Sequence, residues 1–403
     1  MIPFGIQVAG FQGLMKTLKG VAKTLPFPKP TLFSGPGSSL RLCEAMALMG
    51  VHRVLIVTDA MLVKIGLLED IEAKLKELGI RAVVYDGVLP DPTIDQIEAG
   101  LKVLKRERCQ AILAVGGGSP IDAAKIIAAR ATNNKPVSRM EGMFKVFSAP
   151  LPLYVVPTTA GTGSEVTIAA VVSDPKRKKK TPIMDPKLVP MMAALDGALM
   201  TGLPAHVTAA TGMDALTHAV EAYISANALP ETDGYALAAT RLIMENLPRA
   251  VSKGKDLEAR QAMSFASYYA ALAFTRAGVG YVHAIAHNLG AYYHTPHGLA
   301  NAIVMPYVLN YSKRSCVRRL ATLGEVAGLK EKGDRPQALA TKFIDHIRSM
   351  NEQFGIPDKL EALKKSDIPA IARAALKEAH FTYAVPRYMD QPACEALIAK
   401  MLA

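Results

Sequence analysis

Ala111-Ile-Leu-Ala-Val-Gly-Gly-Gly-Ser-Pro-Ile-Asp-Ala-Ala-Lys125 decides the fold class. An unbroken apolar run of this length reads as a strand buried on both faces, as in a parallel sheet. The glycines that follow let the backbone take positive φ or come close to a ligand. Ser119 and Pro120 suit the N-cap and first turn of a helix over 120–131. Such a helix start offers free N–H groups and a positive dipole end to an anion. The segment is therefore one strand–turn–helix unit of an α/β sheet and a candidate pyrophosphate cradle. It is neither GxGxxG nor a Walker motif.

The same pattern extends on both sides. Residues 53–58 (Arg-Val-Leu-Ile-Val-Thr), 81–85 (Arg-Ala-Val-Val-Tyr) and 152–156 (Pro-Leu-Tyr-Val-Val) read as further strands. Helical stretches separate them, one reaching 71–78 and one over 94–108, where Ile94, Ile97, Leu101 and Leu104 share a face. Alternation of this kind predicts a parallel, Rossmann-like sheet with helices on both faces. Beyond Gly202-Leu-Pro204 the period changes to about 3.6 residues, over 207–225, 233–247 and 257–277. The chain is thus expected to hold a basic amphipathic extension over 1–29, a dinucleotide-binding α/β domain over 30–202 and an all-α domain over 203–403.

Composition narrows the function. The chain has 403 residues, 50% of them hydrophobic, and a net charge of +12. No apolar run is long enough to cross a membrane. No nucleic-acid module is recognisable, and Trp, a good base-stacking residue, is absent. Nucleic acid is therefore not expected as a partner. The densest basic run, Lys176-Arg-Lys-Lys-Lys180, reads as a solvated turn. Cys43, Cys109, Cys316 and Cys394 form no CxxC pair, which suits a reducing, cytoplasmic compartment. Leu14, Leu18, Val21 and Leu25 recur at helical spacing among lysines. That helix either packs on its own domain, the reading preferred here, or makes a weak surface contact with a membrane.

Candidate chemistry lies in four places. Asp59 closes the strand over 53–58 and suits either an N-cap or a contact to a ribose 2′-hydroxyl. Pro157-Thr-Thr-Ala-Gly-Thr-Gly-Ser-Glu-Val-Thr167 is dense in hydroxyls and glycines and can line a polar ligand. Asp214 and His218 are four apart on a helical pattern, and His283 and His287 repeat that spacing. His297 follows in the turn-like Thr295-Pro-His-Gly298. Several histidines and an aspartate converging in a helical domain point to a metal site that suits Fe(II) or Zn(II).

Taken together, these motifs resemble the iron-containing (type III) alcohol dehydrogenase family. The resemblance runs from about residue 30 to the end and rests on four segments. Two are residues 116–125 and 157–167; the others are Thr208-Ala-Ala-Thr-Gly-Met-Asp-Ala-Leu-Thr-His-Ala-Val-Glu-Ala-Tyr223, and His283-Ala-Ile-Ala-His-Asn-Leu-Gly290 leading to His297-Gly-Leu-Ala-Asn301. It implies metal ligation by Asp214, His218, His283 and His297, with His287 as a proton relay near the nicotinamide. It implies cofactor contacts from Asp59, Gly117, Gly118, Ser119, Asp122, Thr158, Thr159 and Lys180. Two departures stand out. The family's frequent Pro-Asn-Pro-Thr is Pro90-Asp-Pro-Thr93, and Ala169 replaces an asparagine of relatives acting on vicinal hydroxy-aldehydes.

The expected activity is metal-dependent hydride transfer between NAD(H), in preference to NADP, and a small primary alcohol or aldehyde; the resemblance further implies a homodimer. Phe274 is expected to help wall the pocket. Rival readings are a glycerol-dehydrogenase-like polyol oxidoreductase, a hydroxyacid–oxoacid transhydrogenase, and a metal or nucleotide sensor that keeps the fold.

Overall fold

The structure is a computed structural model that describes residues 3–24, 27–175, 177 and 179–403. Lys176 and Lys178 of the basic run and Leu25 of the N-terminal stripe lie outside the described residues, as do the side chains of Leu18 and Val21. The chain divides into two compact units. One spans Phe27–Gly202, and the other joins the N-terminal helix to Leu203–Ala403.

The N-terminal helix is α1 (Phe4–Thr24). The first unit then runs β1 (Thr31–Ser34), α2 (Ser38–Leu48), β2 (Arg53–Val57), α3 (Ala60–Lys64), α4 (Glu69–Glu77), β3 (Arg81–Tyr85) and α5 (Ile94–Arg106). It continues through β4 (Ala111–Gly116), α6 (Gly118–Thr132), β5 (Gly142–Met143), β6 (Leu153–Pro157), β7 (Ala169–Asp174), β8 (Lys179–Met184) and β9 (Met192–Leu195). Among the described residues, a six-stranded sheet has the order β1-β9-β6-β4-β2-β3, with parallel pairings throughout. Strands β5, β8 and β7 form a separate small sheet.

The apolar strands divide their side chains between two cores. Leu55, Val57, Ile112, Ala114, Leu153 and Val155 enter one core, with α5 and α6. Val54, Ile56, Leu113, Val115, Tyr154 and Val156 enter the other, with α2 and α4. Alternate residues thus face opposite layers, so the strands read as continuous apolar runs. Sequence periodicity missed β1 and β9 at one side of the sheet. It also missed β7 and β8, where Lys179, Lys180 and Pro182 do not read as a strand.

The second unit contains α7 (Ala205–Ile224), α8 (Pro230–Ser252), α9 (Leu257–Ala277), α10 (Tyr281–Tyr293) and α11 (His297–Val326), followed by α12 (Pro336–Gln353), α13 (Ile368–Thr382) and α14 (Gln391–Ala399). Helix α7 is buried along nearly its whole length, including Asp214, His218 and Glu221. Helix α1 packs on α13: the Phe11 ring lies 4.8 Å from His380 and 5.6 Å from Tyr388. Lys19 Nζ donates to the carbonyls of Ala226 and Ala228 at 2.8 and 3.1 Å. The extension therefore turns an apolar face towards its own unit and leaves Ile6 and Leu14 exposed. No described helix is long and apolar enough to cross a membrane.

Candidate functional site

In the helical unit, Asp214, His218 and Glu221 follow one another along α7 at helical spacing. Helix α10 contributes His283, and His297 is the first residue of α11. Ligating atoms of Asp214, His218, His283 and His297 all lie within 4.8 Å of one another. Asp214 Oδ1 is 3.5 Å from His297 Nε2 and 3.8 Å from His283 Nε2. The His218 ring stacks on His283 at 4.6 Å and on Phe274 at 4.2 Å. Phe274 thus stands against a ligand candidate. Gly298 brings α11 to α7: a Cβ there would sit 2.3 Å from the Ala210 carbonyl oxygen. Backbone cannot give way as a flexible side chain can, so this approach requires glycine.

Two polar residues with no role assigned from sequence complete the cluster. Asn301, one turn after His297, donates from Nδ2 to Asp214 Oδ1 at 2.7 Å and lies 3.1 Å from His297 Nε2. Glu221 Oε2 meets His283 Nδ1 at 2.7 Å. The same carboxylate accepts the N–H groups of Gly280 and Val282 at 2.8 and 2.7 Å. Burial pushes Glu221 up to about 7, while these N–H groups pull it back. Burial, reinforced by the neighbouring histidines, drives His283 well below its ordinary value. A neutral imidazole is the form that ligates a metal.

The donor set fits a transition metal. It offers one carboxylate oxygen and imidazole nitrogens, and His283 Nε2 is buried among them with no hydrogen-bond partner. Such an atom is destabilising unless something else accepts its lone pair. His287 stands outside the four. It stacks on His297 at 5.3 Å and hydrogen-bonds to Glu378 at 2.8 Å. Glu378 carries no motif in the sequence and was invisible there.

In the α/β unit the topology places a second candidate site. From β2 the chain moves outward to β3, then returns to β4 on the other side of β2. Ligands of open α/β sheets bind beyond the strand ends at such a reversal. Asp59 follows β2 and the glycine turn follows β4. Asp59 caps α3, its Oδ1 accepting from Met61 and Leu62 at 3.0 and 3.1 Å. Gly117 is the N-cap of α6. A Cβ on Gly118 would lie 2.8 Å from Thr162, and one on Gly117 would lie 3.3 Å from the Thr159 hydroxyl. The glycine turn and the hydroxyl-rich loop are thus neighbours. The Thr158 N–H donates to the Gly116 carbonyl at 3.0 Å.

Ser119 Oγ accepts the Asp91 N–H at 3.2 Å, and the Asp91 carboxylate pairs with Lys180 at 2.6 Å. Ser119 and Lys180 therefore share a neighbour at the residue that departs from the family pattern. Asp122 turns its carboxylate to the loop instead, accepting from Ser164 Oγ at 2.5 Å and from the Val171 N–H at 2.9 Å. Buried Lys125 donates to the Thr167 and Ala169 carbonyls, each at 2.8 Å. Helix α6 thereby clamps the loop into place.

A family profile described as "Iron-containing alcohol dehydrogenase" matches residues 29–197. A second, "Fe-containing alcohol dehydrogenase family, C-terminal", matches residues 208–402. The chain belongs to the iron-containing alcohol dehydrogenase family. Among its relatives, the 1,3-propanediol dehydrogenase of Citrobacter freundii is 41% identical over 86% of this chain and 90% of that protein. The NAD-dependent methanol dehydrogenase of Bacillus methanolicus is 38% identical over 87% of this chain and 93% of that protein. A crystal structure of a 1,3-propanediol oxidoreductase superposes with TM-score 0.90 at 38% identity, covering 94% of this chain and all of that one. The family profiles match from residue 29 on, after α1.

Proposed function

We propose that this member of the family transfers hydride between NAD(H) and a small primary alcohol or aldehyde, using Fe(II) or Zn(II). The observation that carries the reading is the convergence of Asp214, His218, His283 and His297 around a buried nitrogen with no hydrogen-bond partner. These four would hold the ion, which when bound supplies Lewis acidity towards the substrate oxygen.

The remaining work falls to the chain. Gly117, Gly118 and Ser119 at the start of α6 would receive the pyrophosphate on backbone N–H groups. Thr158 and Thr159 line the adjoining loop, and Lys180 adds a positive charge. Asp122 acts by fixing that loop as well as by standing near the cradle. Asp59 would take the ribose 2′-hydroxyl and repel a 2′-phosphate, which supports NAD over NADP. His287, half-exposed, would carry the proton, while Phe274 covers the His218 imidazole and would keep water from it. Four buried free thiols support a reducing cytoplasm. The family resemblance supports a homodimer, and light scattering checks that assembly directly.

The test is anaerobic NADH oxidation with C2–C8 aldehydes, using chelated protein beside protein reloaded with Fe(II) or Zn(II). Turnover restored by metal supports the reading. Metal and NADH binding without turnover would overturn it in favour of a transhydrogenase or a sensor.

A further inference from the structure

His287 on α10 and Glu378 on α13 meet through Nδ1 and Oε1 at 2.8 Å. Tyr383, directly after α13, donates its hydroxyl to the same Glu378 oxygen at 2.7 Å. We propose that Glu378 is a positioning residue for the reaction: it holds the His287 ring and keeps the ring hydrogen on Nδ1, while Tyr383 holds the carboxylate. The proposal rests on the reading of His287 as the proton carrier.

A carboxylate only accepts, so a bond of this length places the hydrogen on Nδ1. Nε2 is then the nitrogen without a hydrogen, the atom that can take a proton. An imidazole as exposed as His287 would otherwise exchange between tautomers and turn about its side-chain bonds. The tether matters here because the ring lies among the candidate ligands, 5.3 Å from His297 and 5.9 Å from His283. Tyr383 is suited to its part: desolvation and the adjacent carboxylate raise its hydroxyl well above the ordinary value, so it remains a donor. Neither Glu378 nor Tyr383 lies in the segments that carry the family resemblance.

The test uses zinc-loaded full-length protein labelled with ¹⁵N-histidine. Long-range proton–nitrogen correlation spectra report each tautomer, and loss of one pattern in His287→Ala assigns it. The wild type should show His287 as the Nδ1–H form. Glu378→Ala should shift it towards Nε2–H and lower kcat by about 10- to 100-fold. The KM for aldehyde and the zinc affinity should stay within about twofold, since the four ligands are untouched. Glu378→Gln keeps an acceptor and should restore the tautomer and most of the rate. A wild-type tautomer or a wild-type kcat in Glu378→Ala overturns the proposal. Full activity in His287→Ala would instead place the failure in the proton-carrier reading, with the tautomer shift still observed.

Discussion

Glu221 Oε2 lies 2.7 Å from His283 Nδ1, and the Glu221 carboxylate also gathers the N–H groups that open helix α10. One side chain of α7 therefore both starts the neighbouring helix and fixes the hydrogen of a candidate ligand on the nitrogen away from Asp214. Partners of this kind set ligand orientation and basicity.

Glu221→Ala should weaken zinc binding by about 10- to 100-fold, as read by competition with a chelator. The change also strips a buried helix start of its acceptor, so the unfolding temperature should fall. Glu221→Gln keeps one acceptor and should lose less of both. Zinc affinity equal to wild type in Glu221→Ala would show that His283 needs no such support.

The Lys180–Asp91 pair is exposed, and such pairs contribute at most about 1 kcal/mol to folding. Lys180→Ala should therefore leave the unfolding temperature nearly unchanged. Loss of a charge-assisted contact to the cofactor should raise the Kd for NADH by about tenfold or more, measured by fluorescence titration. An unchanged Kd would remove Lys180 from the cofactor contacts.

Legibility in the sequence followed burial and spacing. The central strands could be read because both faces are covered and every position is apolar, as in β4. Strand β8, as long as β4, could not, since it carries two lysines and a proline on a small outlying sheet. Asp214 and His218 announced themselves by four-residue spacing on one helix, and His297 by its turn. Glu221 lay within a quoted motif, on the same buried face, and a carboxylate there is itself a signal. Glu378 gave none, because it meets His287 across 91 residues of chain through the packing of α13 on α10.

Glu165 gives a pH signature in the α/β unit. Burial raises its carboxyl from 4.5 to about 7, partly offset by a backbone hydrogen bond and by Lys125. The folded state thus holds a proton that the unfolded chain releases first. Its contribution is fully present below about pH 4.5 and is lost as pH rises through about 7. Over that window wild-type stability should decline by on the order of 3 kcal/mol from this group. Glu165→Gln stays neutral and should flatten the decline, compared by guanidinium unfolding at about pH 5 and 7.5. A difference between variant and wild type that is equal at both pH values would refute the assignment.

The N-terminal helix lies outside the residues that the family profiles match. Phe11 is its aromatic anchor, in ring contact with His380, Phe381 and Tyr388. Aromatic contacts contribute about 0.5–1.5 kcal/mol each beyond their burial, but they are not additive in full. Phe11→Ala should therefore destabilise the helical unit by about 2 kcal/mol, a fall of about 4–8 °C in Tm for a unit of this size. Calorimetry checks this, and an unchanged Tm would mean that α1 contributes nothing to the unit it packs on. Flotation with anionic vesicles separates the alternative role. Because the wild-type apolar face is already committed to α13, vesicle binding should be weak and should increase in Phe11→Ala as that face is released. Strong wild-type binding lost in Phe11→Ala would instead make α1 a membrane contact.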